Sequence, residues 1–432
     1  MAVSCRLLGA VLPVFSQLPR RTFLSLMAAA PLGCVLQRET PLASHALPRL
    51  FFVTGGKTVM MRVDGSDRRP LQVEAPHQVT WQPSDIFPDG KRVILLSMEA
   101  RRDGPGRPFS EYYTQTPTHL WIHDLDSGAL EEIAYRDRLA VFYTPQLLLP
   151  EGRILVQVVK NQVGQVYSMN LDGSDAREFT RAGEGLPYGF SLSPSGKRVA
   201  FHLAGSKGYE IWTSDTEGGQ RTRVAGDSDH LYFAPQWSPD GAWLAFADCL
   251  YRQDPGHDGC DVRICRPDGR EARNLTEGQA MWFAATYGNA TQRGGGSNVV
   301  HWTPDGALLF SRRTPGARVA WEYQVQRPDT DHFNRDFKPD QARGGTQVCR
   351  LDPRNGSQTL LTPEIEGQWD FRGCASPEGD WILFCRAHTR DVPSLWSLNT
   401  RTGKASEIAA NPAGGGVDHP RWISSAPGLR KS

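Results

Sequence analysis

Short apolar runs recur along most of the chain, each followed closely by a cluster of Pro, Asp, Asn, Ser and Gly. Some are continuous, such as Trp243-Leu244-Ala245-Phe246 and Trp381-Ile382-Leu383-Phe384. Others alternate with polar residues, such as Leu120-Trp121-Ile122-His123 and Ile211-Trp212-Thr213-Ser214. Runs this short, bounded by turn residues, predict strands.

One turn recurs six times: Phe87-Pro88-Asp89-Gly90, Leu149-Pro150-Glu151-Gly152, Ser193-Pro194-Ser195-Gly196, Ser238-Pro239-Asp240-Gly241, Thr303-Pro304-Asp305-Gly306 and Ser376-Pro377-Glu378-Gly379. Proline presets its φ near about −65° and glycine supplies the positive φ that ends the turn. A second turn recurs seven times, at Asp64-Gly65, Ser127-Gly128, Asp172-Gly173, Gly218-Gly219, Asp268-Gly269, Asn355-Gly356 and Thr402-Gly403. Two hairpin turns per repeat make a four-stranded antiparallel unit. Seven turns of one kind against six of the other leave one unit without its first hairpin in sequence. His419-Pro420-Arg421-Trp422-Ile423 matches Pro235-Gln236-Trp237 and Val300-His301-Trp302, and supplies the missing strand. The expected fold is an all-β, seven-bladed β-propeller over residues 47–423, closed by that C-terminal strand beside Leu50 to Val53, with 424–432 as a flexible tail.

Trp237-Ser238-Pro239-Asp240-Gly241 followed by a strand, and Leu171-Asp172-Gly173-Ser174 ahead of a closing strand, resemble the TolB-type (WD40-like) propeller repeat. The likeness runs over residues 49 to 423; it implies the fold and leaves activity to the site. Exported propellers of this repeat type also resemble the oligogalacturonate lyases. That resemblance implies β-elimination on a uronic-acid-containing oligo- or polysaccharide.

Composition adds exclusions. With 48 Lys+Arg against 47 Asp+Glu the net charge is +1, so no global field draws the chain to nucleic acid. Residues 1–46 carry Arg20-Arg21-Thr22-Phe23-Leu24 ahead of an apolar stretch ending at Leu36, which resembles a twin-arginine export signal. It implies a periplasmic or secreted destination, with cleavage after Ala46 favoured over lipid attachment at Cys34. The stretch is shorter than the roughly 18 residues a spanning helix needs, so no transmembrane segment is expected. No CxxC or zinc-type spacing occurs. Cys249, Cys260 and Cys265 flank adjacent strands, which leaves both a bridge and buried thiols open.

Within such a unit the Pro-Asp-Gly turns share one face, so loops of varying length share the other. The longest are Arg101 to Thr118, Tyr251 to Gly259, Trp282 to Asn298 and Pro315 to Thr346, which shifts the site toward blades five to seven. Residues just ahead of the innermost strands are expected to line the channel mouth: His77, Tyr143, Tyr188, His230, Tyr232, Asn298, Asp370, Arg372, Asp418 and His419. Such a ring suits a hydroxyl-rich or anionic ligand, and the same groups also serve to satisfy strand ends.

A β-eliminating lyase needs a base, a cation to offset the enolate charge and an acid for the leaving oxygen. His230 or His332 is the candidate base, Arg293 or Arg327 the cation, and Tyr232 or Tyr287 the acid. His77, Tyr188, Trp321, Arg327, Arg372 and His419 form the candidate substrate-binding set. His257 and Asp258 are candidate ligands for a divalent metal, although the lyase family's Gln-x-x-His-x-His run is absent. Absence of a Walker lysine and of a GxSxG elbow argues against phosphate-loop enzymes and peptidases of the prolyl oligopeptidase kind. The chain is thus expected to take a carbohydrate or protein ligand at the long-loop face, as a lyase or as a non-catalytic TolB-like binding propeller.

Overall fold

A computed structural model describes residues 47–55, 57–71, 78–99, 118–133, 138–139, 147–160, 163–205, 208–250, 259–282, 298–323 and 335–423. The strands fall into four-stranded antiparallel modules. Module one joins Val417–Ile423, Arg49–Thr54, Lys57–Arg62 and Arg69–Pro70. Module two joins Gln78–Ile86, Arg92–Glu99, Thr118–Asp124 and Leu130–Ile133. In module three, Arg138–Leu139 and Leu147–Leu148 both pair with Arg153–Lys160, followed by Val163–Asn170 and Arg177–Glu178. Module four holds Leu186–Leu192, Arg198–Gly205, Gly208–Asp215 and Thr222–Ala225. Module five holds His230–Trp237, Leu244–Leu250, Gly259–Cys265 and Arg273–Asn274.

Module six places Ala280–Met281 and His301–Trp302 beside Leu308–Arg313, then Thr346–Leu351 and Gln358–Leu360. A separate hairpin, Trp321–Tyr323 with Arg335–Phe337, is inserted between its middle strands. Module seven holds Gln368–Ala375, Trp381–His388, Ser394–Asn399 and Ala405–Ala409. The expected pairing of the chain's tail with its beginning is present: Leu50 faces Trp422 and Phe51 faces Arg421.

The repeated turn works as its residues require. At Ser238-Pro239-Asp240-Gly241 the Gly241 N–H donates to Ser238 O at 2.8 Å, and Gly241 takes φ 70°. The Asp240 carboxylate accepts from Ser238 Oγ at 2.5 Å and from Ala242 N at 3.0 Å. The same backbone bond closes all six copies. A Cβ placed on Gly241 would meet Pro194 Cδ at 3.5 Å, so this turn rests on the corresponding turn of the module before it.

The continuous apolar runs have a packing reason. Val93 and Leu95 join a cluster with Phe51 and Met60 of module one, whereas Ile94 and Leu96 join one with Ile154 and Val156 of module three. Successive side chains of a strand point to opposite faces, so a strand covered by a neighbour on each side must be apolar at every position. Similar clusters lie between modules three and four, four and five, five and six, and six and seven. One more joins Phe371, Leu383 and Leu395 of module seven to Leu50 and Phe52 of module one. Each fully buried Leu or Phe contributes about 1.5–3 kcal/mol, so these interfaces carry most of the apolar stabilisation.

The recurring Trp has its own task. Trp237 Nε1 donates to Ser191 O at 3.1 Å, Trp302 Nε1 to Gln236 O at 3.0 Å, and Trp422 Nε1 to Cys374 O at 3.1 Å. Each bond runs from one innermost strand to that of the preceding module. The last runs from module one back to module seven.

Candidate functional site

A β-bulge interrupts most innermost strands at an equivalent place. Pairing slips between Tyr188 and Ser191, Phe233 and Gln236, and Phe371 and Cys374, and opposite Phe51 and Val53 for the C-terminal strand. One residue in each bulge adopts the left-handed conformation: Gly189 (φ 66°), Ala234 (48°), Arg372 (54°) and His419 (54°). Glycine does so without strain, whereas a residue with a Cβ costs on the order of 1 kcal/mol. Ala234, Arg372 and His419 all bear that cost, the last two in adjoining modules.

These two residues meet at the seam of modules six, seven and one. Arg372 Nε lies 2.6 Å from Asp418 Oδ1, and His419 N donates to the same oxygen at 2.7 Å. The backbone N–H of Arg372 donates to Asn298 Oδ1 at 2.9 Å. Asn298 in turn is tied to the other root of the 283–297 loop, its backbone N–H donating to Trp282 O at 2.6 Å and its Nδ2 to Met281 O at 3.0 Å. The long loop that carries Tyr287 and Arg293 is therefore rooted at the seam.

Two groups here escaped the sequence reading, His301 and Arg421. Burial, reinforced by Arg421, pushes the His301 imidazole down to about 4. Burial followed by Arg372 does the same to His419, against the opposing pull of Asp418. His419 nonetheless exposes 33% of its side chain, as a group deep in the molecule but reached by water would. Among the described residues Arg372 is paired with Asp418, while Arg421 makes no ion pair. Both imidazoles are therefore neutral at pH 7, and the positive charge of the half-buried Arg421 helps to lower each of them. In general a guanidinium without an ion pair suits a carboxylate or another planar anion.

A second polar group lies in module five. His230 Nδ1 is 2.8 Å from the Tyr232 hydroxyl, which donates to Asp227 Oδ2 at 2.7 Å. Because that hydroxyl proton goes to Asp227, the Tyr232 oxygen presents its lone pair to His230 Nδ1. Asp248 Oδ1 lies 3.0 Å from His230 Nδ1, and its other oxygen lies 2.5 Å from Arg263 Nε. Burial raises the Asp248 carboxyl above the usual range, opposed by Arg263 and then His230. Burial and the Asp227 carboxylate raise the Tyr232 hydroxyl, so it stays protonated.

The remaining expected residues divide. Tyr188 sits half-buried with its ring 3.7 Å from that of His202, as a packing group. Trp321 lies in the inserted hairpin. Asp370, expected at the channel mouth, is instead fully buried and bound through both oxygens to its cross-strand neighbour Arg386, at 2.6 and 2.8 Å. A carboxylate so placed cannot forgo a paired cation. His77, Tyr143, His257, Asp258, Tyr287, Arg293, Arg327 and His332 lie outside the described residues. Among the described residues no three His, Cys, Asp or Glu side chains group as a metal would need, and no helix is long and apolar enough to cross a membrane.

No family model matches the chain. An uncharacterised protein of Agrobacterium fabrum is 25% identical over 263 residues, covering 53% of this chain and 85% of that protein. Among solved structures, a puromycin-hydrolysing peptidase of Mycobacterium tuberculosis is similar at a TM-score of 0.54 and 14% identity, covering 84% of this chain and 51% of that one. This chain thus spans about half the length of that enzyme. An oligogalacturonate lyase of Vibrio parahaemolyticus is similar at 0.50 and 13% identity, covering 84% and 85%. TolB of Acinetobacter baumannii aligns at 0.40 and 15% identity, covering 74% and 69%, too loosely to carry an argument. At such identities the likeness concerns fold alone: the chain is an all-β protein of propeller-like architecture.

Proposed function

We propose that the chain is an exported seven-bladed β-propeller that takes a uronic-acid-containing oligo- or polysaccharide at the seam of modules six, seven and one. Residues 1–46 are its twin-arginine signal. Support for ring closure comes from the tryptophans, because the bond from Trp422 to module seven repeats those of Trp237 and Trp302. Trp422→Phe and Trp237→Phe should each cost about 1 kcal/mol, the worth of one hydrogen bond. Equal losses in thermal or urea denaturation are expected; a Trp422 variant as stable as the parent beside a weakened Trp237 variant would refute a closed ring.

The observation that carries the ligand reading is Arg421, a cation without an ion pair among the described residues, beside His301 and His419. Arg421 would bind the uronate carboxylate and offset the enolate charge of β-elimination. Neutralising it relieves part of the repulsion that lowers both imidazoles, so binding makes them better proton acceptors. Their pKa values therefore rise on binding, and affinity should increase as pH falls from neutrality towards about 5, with proton uptake. Incubation with polygalacturonate and ulvan, followed by ultraviolet absorbance of the unsaturated uronate, tests elimination. Calorimetry in buffers of different ionisation enthalpy tests binding and proton uptake. Equal affinity for a neutral glucan of the same length would sink the carboxylate reading.

A non-catalytic propeller binding a protein or glycan is the second reading. It is favoured by the low basicity of His301 and His419, about 4 each, far below the pH at which a general base works best. Carboxylate-dependent binding without an unsaturated product would select it.

A further inference from the structure

Six of the eight cysteines lie among the described residues, and all six are thiols. Four face other residue types across their sheets: Cys265 faces Leu244, Cys349 faces Phe310, Cys374 faces Leu383 and Cys385 faces Phe371. The other two face each other, Cys249 on Leu244–Leu250 directly opposite Cys260 on Gly259–Cys265. Directly opposed residues of an antiparallel pair have Cα atoms about 4.5 or 5.5 Å apart and side chains on the same face. Both separations fall within the roughly 4.4–6.8 Å that a disulfide spans.

We propose that Cys249 and Cys260 are a disulfide site, closed when the chain meets an oxidising small-molecule disulfide. Cys249 is partly exposed and Cys260 buried, so Cys249 is the sulfur that meets the oxidant. With glutathione disulfide, the Cys249 thiolate attacks one sulfur and expels a glutathione thiolate, forming a mixed disulfide. The Cys260 thiolate then attacks the Cys249 sulfur and expels the second glutathione. Two protein thiols become one S–S bond, and glutathione disulfide is reduced to two thiols that carry the two protons. The other four cysteines are held as thiols by burial, which pushes Cys265, Cys349 and Cys374 up to about 12 and Cys385 well above its ordinary value.

The bond would join the two roots of the loop that carries His257 and Asp258. It would lie one residue from His230, since Leu231 pairs with Cys249 and His230 with Leu250. The site is independent of any ligand, so its test separates from that of the saccharide reading.

The experiment equilibrates the full-length protein with glutathione disulfide, alkylates it under denaturing conditions without reductant, and maps the peptides by mass. The expected result is a single linked pair of peptides containing Cys249 and Cys260, lighter by two hydrogens than the separate thiol peptides and released by reductant. Cys265, Cys349, Cys374 and Cys385 should be alkylated. Cys260→Ser should yield a Cys249 mixed disulfide with glutathione and no linked pair. Full alkylation of both Cys249 and Cys260 in the oxidised parent protein, or a link from either to Cys265, would overturn the proposal.

Discussion

Arg421→Gln is expected to weaken binding of galacturonate oligosaccharides by about 10- to 100-fold, the worth of a charge-assisted hydrogen bond of roughly 1.5–3 kcal/mol. Folding stability should change little, because among the described residues Arg421 makes no ion pair to lose. The same substitution should raise the His301 and His419 pKa values from about 4, since the Arg421 charge lowers both. Calorimetry reads the first effect and NMR titration of the imidazole protons the second. Unchanged affinity in Arg421→Gln would remove the basis for assigning the anion to this seam. Unchanged imidazole titrations would show that the guanidinium does not face them.

A comparably large effect is expected from acid at His202. This side chain is 2% exposed, surrounded by the rings of Tyr188, Tyr209 and Phe233, and burial pushes it from 6.5 to about 3. Its Nδ1 accepts the Ala234 N–H at 3.2 Å, which requires the neutral ring. The partner strand can come this close only because Gly189 has no side chain; a Cβ there would fall 2.5 Å from Nδ1. The unfolded imidazole binds a proton below about 6.5, whereas the folded one does not until about 3. The resulting stability is complete above pH 6.5 and is lost progressively as pH falls to about 3, amounting to about 2 kcal/mol by pH 5.

His202→Gln keeps an acceptor for the Ala234 N–H but cannot titrate. It should be less stable than the parent at neutral pH, by roughly 1–3 kcal/mol for the lost ring contacts. It should then lose about 2 kcal/mol less than the parent between pH 7 and pH 5. Urea denaturation at the two pH values gives the comparison. Parallel losses in parent and variant would show that His202 does not titrate on unfolding.

The strand-and-turn pattern was legible because each signal is local. A Pro-Asp-Gly turn needs only its own backbone geometry, and all six copies form the same bond. The tail strand was legible by its match to internal repeats, and Trp422 takes the place that Trp237 holds. Arg372 and His419 were named as binding residues from their position ahead of an innermost strand, and the structure brings them to one seam with Asp418. His230 and Tyr232 were named for the same reason and do meet, but in module five, bound to Asp227 and Asp248. Asp370 was misplaced because sequence does not show which cation a buried carboxylate has across the strand.

His301 and Arg421 had a signal that went unused: each immediately precedes its module's Trp, as Gln236 precedes Trp237. By itself the sequence determined the all-β architecture, the repeating two-hairpin module and the strand that returns to the start, since each follows from short-range backbone preferences repeated along the chain. Only the tertiary structure decided which polar groups converge and which carboxylates are already neutralised. Those outcomes depend on charges contributed by modules remote in sequence, and on bulges that turn a side chain by an amount no local periodicity encodes.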